Sequence, residues 1–473
     1  MKKYDLIVIG GGAGGLTVAA GAASIGGKVA LIEKNDQLGG DCLHYGCVPS
    51  KTLIATANRV HEARSLDGLG LQTSGTVDMK AVMDRVRASI SHIQEHDDVE
   101  RFSKLGVDVY FGTGSFQSPH EVMVKEELLY GKKIVVSTGS RPFVPEVEGL
   151  KECGFLTNES IFGLYDLPQK LGVIGGGPVG LELAQAMSRL GNETTVIDSS
   201  QTLFGKEDKE ISQAMAKLLE KELTILNETS VERVEMRDGK KILYVKRAGV
   251  QSELPVDEIL VAAGRIPNTA TLELEKAGVH TDKRGYITVN ERLESNVSHI
   301  YAVGDVNGAF PFTHVAGMEG KVVVQNALLG LRRKVNYDHV PWVIYTSPEV
   351  FHLGLTEEDA RDQRNDIRVF RVPLSNVDRF VADHQTQGFV KVITDKKGHI
   401  LGAHAIGQHA GDFMQEIVAA KQFNKKIGAL SNVIHPYPSH SAAVQQNADL
   451  YWRETLFEGR IQRLLETYVR WKW

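Results

Sequence analysis

Two closely spaced cysteines are the residues of this chain best suited to chemistry. The segment DCLHYGCVPSK separates Cys42 from Cys47 by four residues and places Lys51 close behind them. This spacing lets the two thiols meet across about one helical turn and close a small disulfide ring, if the backbone geometry permits it. Because a helix start and a nearby lysine lower the pKa of a thiol, we expect at least one of the two to be reactive.

Two other interpretations compete with a redox role: a pair of small buried side chains, or half of a zinc site. Zinc is disfavoured because the only other cysteine, Cys153, has no cysteine or histidine at ligand spacing. The spacing therefore predicts a redox-active disulfide and no metal site.

The elements that must position these cysteines belong to an internal repeat. Residues 4–33 and 169–198 each contain an apolar strand, a GxGxxG turn, a helix and a second apolar strand that ends in an acid. Such glycines allow a tight turn and close approach to a pyrophosphate, and the acid accepts hydrogen bonds from ribose hydroxyls. The repeat predicts two dinucleotide-binding folds, whose key residues are Gly10, Gly12, Gly15 and Glu33 in the first copy and Gly175, Gly177, Gly180 and Asp198 in the second.

Length and composition suggest a multidomain protein of the cytoplasm. A chain of 473 residues is too long for one hydrophobic core. The formal charge of −5 gives no reason to expect nucleic acid or an anionic membrane as a partner. Three cysteines are too few for a secreted disulfide scaffold, and the glycine-broken apolar start resembles neither a signal peptide nor a transmembrane segment.

Several segments together resemble the flavin-dependent pyridine nucleotide–disulfide oxidoreductases, a family that includes dihydrolipoamide dehydrogenase, glutathione reductase and mercuric reductase. These segments are GGDCLHYGCVPSK, the two glycine turns, STGS, AAGRIPN, YAVGD and VIYTSPEVFHLG, and they occur in the order of the family. The resemblance implies an α/β protein with two Rossmann-like domains, for FAD and for NAD(H), and an α+β C-terminal domain that forms a homodimer. The implied boundaries are 1–148 and 269–336 for the two parts of the FAD and central domain, 149–268 for the nicotinamide nucleotide domain, and 337–473 for the interface domain.

The resemblance also implies roles for single residues. Cys47 would be the flavin-facing thiolate, and Cys42 would be the thiol that attacks the substrate. Lys51 would lie near the flavin and pair with Glu182, although either charge alone is more typical of a solvated helix surface. Further cofactor-binding residues would be Glu33 on the adenosine ribose, Asp305 near the ribitol, and the neighbouring Thr138, Gly139, Gly264 and Gly304.

The residue at the end of the second repeat bears on the choice of nicotinamide cofactor. Asp198 would accept a hydrogen bond from a ribose 2′-hydroxyl and repel a 2′-phosphate, and no arginine follows it closely. The sequence therefore favours NADH, with NADPH the less favoured donor.

The C-terminal loop departs from the disulfide-reducing members of the family, which carry a His–Glu acid–base pair. Here Tyr437 stands at the position of the base and Ala442 at that of the glutamate. A phenol with a pKa near 10 is a poorer proton acceptor than an imidazole near 6.5, so lipoamide and glutathione chemistry is in doubt. His435 or His440 could replace the base or bind a metal, or both could be structural.

The same loop and the segment 376–392 are similar to mercuric reductases. However, the segment RWKW carries no counterpart of the C-terminal cysteine pair of those enzymes, and we expect no N-terminal metal-carrier domain. The tail 449–473 instead carries an apolar stripe at helical spacing that could pack on the dimer or dock to a protein or membrane surface; its members are Leu456, Phe457, Ile461, Leu464, Leu465 and Tyr468.

The leading hypothesis is an enzyme that passes electrons from NADH through FAD and the cysteine pair to a soft metal ion or a small disulfide. A second hypothesis is a dihydrolipoamide dehydrogenase with a displaced base, such as His435. A third, from another class, is an electron-transfer or redox-sensing flavoprotein that docks to a partner.

Overall fold

A computed structural model describes residues 1–457 and 459–473, without the side chains of residues 67, 459 and 460. The predicted tail 449–473 therefore falls in part outside the described residues, at residue 458 and at the side chains of 459 and 460. Among the helices that the structure describes, none has the length and apolar character needed to cross a membrane.

The chain divides into two compact units. The first comprises Met1–Ser199 and Glu228–Asn336, and the second comprises Ser200–Asn227 and Tyr337–Trp473. The predicted domain boundaries remain a prediction.

In the largest sheet of the first unit, the first strand of the chain has a parallel neighbour on each side. The elements of this region are β1 (Lys2–Ile9), α1 (Ala13–Ser24), β2 (Val29–Glu33), α2 (Gly40–His44), α3 (Cys47–Arg64), α4 (Met79–Gln94), α5 (Val99–Lys104), β3 (Val107–Phe111), β4 (Gly114–Ser118), β5 (Glu121–Val124), β6 (Glu127–Val136) and β7 (Ser140–Pro142). The strand order is β3-β2-β1-β6-β5-β4, and β1 pairs in parallel with both β2 and β6. Leu6, Ile7 and Val8 in β1 are fully buried, as expected for a parallel strand that is covered on both faces.

The second repeat forms a separate parallel sheet in the same unit. Its region contains α6 (Leu150–Cys153), β8 (Lys170–Ile174), α7 (Pro178–Leu190) and β9 (Glu193–Ile197), and in the second unit the chain continues through α8 (Lys209–Leu219) and β10 (Thr224–Leu226). Back in the first unit follow β11 (Thr229–Arg237), β12 (Lys240–Arg247), β13 (Val250–Val256), β14 (Glu258–Val261), β15 (Arg265–Pro267), β16 (Ile300–Ala302) and α9 (Thr313–Leu329).

Strand β8 pairs in parallel with β9 and β14, while β11, β12 and β13 form an antiparallel sheet. Strand β16 joins the first sheet beside β6. Both sequence repeats therefore fold as strand, glycine turn, helix and parallel strand, which confirms the two Rossmann-like folds.

The second unit is built on an antiparallel sheet with strand order β17-β18-β21-β20-β19. Its elements are β17 (Pro341–Ile344), β18 (Glu349–Gly354), α10 (Glu357–Gln363), β19 (Ile367–Pro373), α11 (Asp378–Ala382), β20 (Phe389–Asp395), β21 (Ile400–Gly407), α12 (Ala410–Phe413), α13 (Gln415–Gln422), α14 (Ala442–Leu456) and α15 (Gly459–Lys472). Phe351, Phe370 and Phe380 lie in the core between the sheet and the helices. The predicted α+β character of this part is confirmed.

Candidate functional site

The turn between β1 and α1 is shaped for a pyrophosphate. Gly10 has a φ of +108°, and a Cβ there would lie 2.2 Å from the backbone oxygen of Ser137. A Cβ on Gly15 would lie 1.9 Å from the Gly10 oxygen, so only glycine lets α1 pack this closely against β1. A Cβ on Gly12, the N-cap of α1, would meet nothing nearer than Gly40 Cα at 3.8 Å. This open space at a helix N-terminus fits the pyrophosphate of FAD.

The second turn repeats this construction. Gly175 has a φ of +113°, and a Cβ on Gly180 would lie 2.0 Å from the Gly175 oxygen. A Cβ on Gly177 would meet no atom within 4 Å, so the N-terminus of α7 is open as well. The residues present therefore fit a nicotinamide dinucleotide.

The acid at the end of each repeat is anchored beside its glycine turn. The Glu33 carboxylate accepts hydrogen bonds from Gly11 N at 2.7 Å and Asn35 N at 2.8 Å. Asp198 Oδ2 accepts one from Gly176 N at 2.5 Å. Both carboxylates are thus held next to the turn, where a ribose hydroxyl can reach them.

The cysteines lie at the junction of α2 and α3. Cys42 is half-buried within α2, while Cys47 is exposed at the first position of α3. Both are free thiols in this structure, and the Cys47 sulfur lies 3.3 Å from Thr313 Oγ1. Thr313 was not singled out from the sequence because it lies 266 positions away, in a segment without a motif.

The surroundings of the two sulfurs shift the pKa values of the two thiols in opposite directions. A hydrogen bond from Cys42 is the main cause that lowers the pKa of Cys47 to about 6, and Thr313 and the charge of Lys51 add to it against burial. The same hydrogen bond and burial raise the pKa of Cys42. These shifts favour a Cys47 thiolate beside a Cys42 thiol at neutral pH, and the role of Cys42 as the thiol that attacks the substrate stays a prediction.

An ion pair links the cysteine helix to the second repeat. Lys51 Nζ on α3 lies 2.6 Å from Glu182 Oε2 on α7, and the glutamate side chain is 6% exposed. The pairing that the resemblance implied is present in the structure. It holds a positive charge one helical turn from Cys47, where that charge favours the thiolate.

Three strand ends meet around Asp305. Its Oδ2 accepts a hydrogen bond from Ser140 Oγ at 2.5 Å, and Ser140 in turn accepts one from Arg265 Nε at 2.6 Å. Arg265 also lies 3.3 Å from Asp41 Oδ2, next to Cys42. Burial raises the pKa of Asp305. Ser140 and Arg265 lie inside motifs of the sequence but were missed as site residues.

The predicted neighbours of Asp305 are brought to the same place. Thr138 Oγ1 donates to the Asn268 carbonyl at 2.8 Å, and Asn268 Nδ2 donates back to the Thr138 carbonyl at 2.9 Å. Gly139, Gly264 and Gly304 all have positive φ angles at these strand ends. The strand ends thus form one polar edge that fits the ribitol side of FAD.

In the second unit, three side chains of the C-terminal loop each contact a carboxylate: His435, Tyr437 and His440. Tyr437 is 82% exposed, and its hydroxyl donates to Asp378 Oδ2 at 2.8 Å, which raises the pKa of the phenol. His440 Nε2 lies 2.9 Å from Asp383 Oδ2.

His435 has partners at both ring nitrogens. Nε2 lies 2.8 Å from Glu416 Oε2, Nδ1 lies 3.0 Å from the Val433 carbonyl, and the side chain is 7% exposed. Since neither nitrogen is open to a substrate, this geometry favours a structural role for His435.

Comparisons with known proteins agree with this geometry. The family model described as pyridine nucleotide-disulphide oxidoreductase matches residues 4–320, and that of the family's dimerisation domain matches residues 340–448. A mercuric reductase from Staphylococcus aureus is 35% identical over 437 residues, 92% of this chain and 80% of the relative. A mitochondrial dihydrolipoyl dehydrogenase from Pisum sativum is 35% identical over 459 residues, 94% of this chain and 91% of the relative.

A solved structure shares the whole fold. The HOCl-induced flavoprotein disulfide reductase RclA from Escherichia coli has a TM-score of 0.85 and 28% identity, covering 94% of this chain and all of the other. The dimerisation domain supports a homodimer. The chain belongs to the pyridine nucleotide–disulphide oxidoreductases and is a flavin-dependent enzyme of that family, whose members use FAD and NAD(P)H.

Proposed function

We propose that this enzyme takes electrons from NADH and delivers them through FAD and the Cys42–Cys47 pair to a thiol-bound soft metal ion. The observation that carries the proposal is the contrast between a well-prepared thiolate at Cys47 and a C-terminal loop with no open base at His435 or Tyr437. A bound FAD would pass electrons from the nicotinamide to the cysteine pair.

The residues around the cysteines have separate tasks in this proposal. Lys51, held by Glu182, supports the Cys47 thiolate, and Cys42 donates its hydrogen bond to that thiolate. A soft metal ion would displace the Cys42 proton and bind between the two sulfurs, since thiolates are the ligands that soft ions prefer.

A metal acceptor suits the loop better than a disulfide does. Reduction of a disulfide requires a proton for the leaving thiol, and an acid–base group that supplies it contributes about 10²–10⁴-fold. Reduction of Hg²⁺ needs two electrons and no such proton: NADH and Hg²⁺ give NAD⁺, H⁺ and elemental mercury. Mercuric reductases among the relatives, and a Cu(II) complex of RclA among the similar structures, support an acceptor of this class.

The experiment is a comparison of acceptors with the FAD-loaded enzyme. NADH oxidation is measured with a mercuric–thiol complex, with lipoamide and with a quinone. We expect lipoamide turnover to be weaker than metal turnover by about 10²–10⁴-fold. Rapid lipoamide turnover with a bell-shaped pH profile that is lost in His435→Ala would overturn the proposal in favour of a displaced base.

A disulfide acceptor remains the second candidate because of one further contact. His440 and Asp383 form a histidine–carboxylate pair, the arrangement that orients an imidazole as a base. Lipoamide turnover that survives in His435→Ala and is lost in His440→Ala would support this candidate.

The preference for NADH rests on Asp198. We expect NADH to reduce the enzyme faster than NADPH. Asp198→Ala should lower the ratio of the two reduction rates by about tenfold, because the variant loses one hydrogen bond to the 2′-hydroxyl and one repulsion of the 2′-phosphate. Stopped-flow reduction with each donor measures this ratio. An unchanged ratio in the variant would mean that Asp198 does not contact the ribose.

The C-terminal helix α15 is proposed to cover a surface outside its own subunit. Its apolar stripe is open to solvent: Leu464 is 69%, Tyr468 53% and Trp471 83% exposed. Deleting residues 455–473 distinguishes between the two surfaces that α15 could cover, the partner subunit and a membrane. Loss of the dimer in light scattering indicates packing on the partner subunit, whereas an intact active dimer that no longer binds anionic vesicles indicates docking to a membrane surface.

A further inference from the structure

Three potential metal ligands converge in the second unit, although no spacing along the chain brings them together. His352 on β18 and His404 on β21 are directly opposite each other in the antiparallel pairing, so their side chains share one face of the sheet. Glu207, just before α8, reaches the same place. One ligand atom from each residue lies within 4.8 Å of the others, and all three residues are buried.

Contacts behind the three side chains orient them toward a common point. His352 Nε2 lies 2.9 Å from the Gly354 carbonyl, and His404 Nε2 lies 2.9 Å from the Leu355 carbonyl. A carbonyl can only accept, so each Nε2 carries a hydrogen and each Nδ1 faces the other side chains of the group. Metal-binding histidines commonly donate their second nitrogen to a backbone carbonyl in this way.

The glutamate is held by an equivalent contact. Trp342 Nε1 donates to Glu207 Oε1 at 2.7 Å, and the indole stacks on the His352 ring at a centroid distance of 3.6 Å. The other oxygen, Oε2, lies 2.8 Å from His352 Nδ1. One carboxylate oxygen is therefore fixed from behind, while the second points between the two imidazoles.

One ligand atom in this group lacks a partner. His404 is fully buried, and its Nδ1 has no hydrogen-bond partner among the described residues. Because its Nε2 donates to the Leu355 carbonyl, a neutral His404 ring carries its lone pair at Nδ1. A buried acceptor without a donor is unfavourable, and a cation at this point would satisfy it.

The surrounding charges suit a cation. Lys391 lies opposite His404 in the pairing of β20 with β21, and its ammonium is paired with Asp208 at 2.9 Å and with Glu357 at 2.7 Å. Asp208 also acts on His404 by its negative charge. The carboxylates around the three ligands thus outnumber the ammonium that they neutralise.

We propose that Glu207, His352 and His404 form a binding site for a divalent transition-metal ion, with Zn²⁺ as the expected occupant. Two imidazoles and one carboxylate are a ligand set that zinc takes with a water in the fourth position. With zinc–ligand bonds of about 2.0–2.2 Å, ligand atoms that now lie within 4.8 Å of one another must draw closer when the ion binds. The proton shared between His352 Nδ1 and Glu207 leaves to solvent when the ion binds.

The site is independent of the proposed reaction at the cysteines. It ties the segment before α8 to β18 and β21, so a bound ion would stabilise the second unit. Binding to the folded state alone raises the free energy of unfolding by RT ln(1 + c/Kd), where c is the free Zn²⁺ concentration, so the unfolding temperature rises with the logarithm of the free metal concentration.

The test uses the full-length FAD-loaded protein with Cys42→Ser and Cys47→Ser, so that the thiols cannot bind the metal. After chelation and dialysis, Zn²⁺ is titrated in competition with a chromogenic chelator. We expect one tightly bound Zn²⁺ per chain, lost in Glu207→Gln and in His404→Gln. The matched control is His399→Gln, which removes another carboxylate-paired histidine of the same unit and should leave the zinc in place.

A second readout covers variants that fold poorly. Zn²⁺ should raise the unfolding temperature of the parent protein, and Co²⁺ should give the visible absorbance of a four-coordinate nitrogen–oxygen site. Both signals should be absent from Glu207→Gln while its circular dichroism stays that of the parent. Absence of tight zinc in the parent, or equal zinc in the parent and in His404→Gln, would overturn the proposal.

Discussion

The cysteine region and the C-terminal loop carry similar kinds of residues but arrange them to opposite effect. Around Cys47, a hydrogen bond from Cys42 and the charge of Lys51 act together to keep one sulfur ionised. In the loop, His435 and Tyr437 direct their polar atoms to carboxylates of their own unit. The first arrangement prepares a nucleophile, and the second leaves little capacity for proton transfer.

This comparison indicates that the two requirements of disulfide reduction, a reactive thiolate and a proton donor for the leaving thiol, need not occur together. A thiolate needs only local electrostatics, whereas protonation of a leaving thiol needs an open base at a second site. A chain that keeps the first and weakens the second is suited to acceptors that require electrons and thiolate ligands but no proton.

The largest expected effect comes from exchanging the two cysteines for serine one at a time. On two-electron reduction, the wild type should show a long-wavelength absorbance from the Cys47 thiolate beside oxidised flavin. Cys47→Ser should abolish this band and Cys42→Ser should keep it, while either variant loses turnover with thiol-bound acceptors. If both variants keep the band, the assignment of the thiolate to Cys47 is wrong.

The pH dependence gives the next largest effect. Because the pKa of Cys47 is lowered to about 6, the thiolate is present above that pH and is lost as the pH falls through it. The long-wavelength absorbance of the reduced enzyme should therefore drop roughly tenfold between pH 7 and pH 5. A thiol with the ordinary pKa near 8.5 would already be mostly protonated at pH 7. If the absorbance instead reached half of its maximum near pH 8 or above, the asymmetry between the two cysteines would be contradicted.

Removing the positive charge of Lys51 should change the pH at which this absorbance is half-maximal. Lys51→Met is expected to raise the pKa of Cys47 by about one unit, the usual order for one nearby charge. Glu182→Gln, which releases the lysine without removing it, should change the pKa less. Equal shifts in the two variants would indicate that Lys51 acts through packing and not through its charge.

The smallest effect is expected in the loop. Tyr437→Phe should slow metal turnover by well under the roughly 10²-fold that loss of a general acid or base costs, and should spare electron transfer to a quinone. The matched control is His435→Gln, which also breaks a contact to a carboxylate. A loss of 10²-fold or more with Tyr437→Phe would make the phenol part of the chemistry and remove the contrast between the two regions.

Local sequence was sufficient for the elements that hold the nucleotides. The turn at Gly10 and its counterpart at Gly175 could be predicted because a positive φ and close helix packing exclude every residue with a side chain. Strand and helix periodicity placed Glu33 and Asp198 at the ends of the second strands, where the structure has them. The cysteine spacing likewise indicated a redox pair, because only four residues separate the two cysteines at the junction of α2 and α3.

Contacts between distant segments were decided only by the tertiary structure. The pairing of Lys51 with Glu182 was implied by resemblance alone, and no spacing along the chain brought Glu207, His352 and His404 together. Spacing along the chain reports on dihedral angles and on the face of a helix or strand, which are local properties. Which strands are neighbours, and in which register, depends on the packing of whole sheets, so the partner of a buried charge or imidazole is known only once the chain has folded.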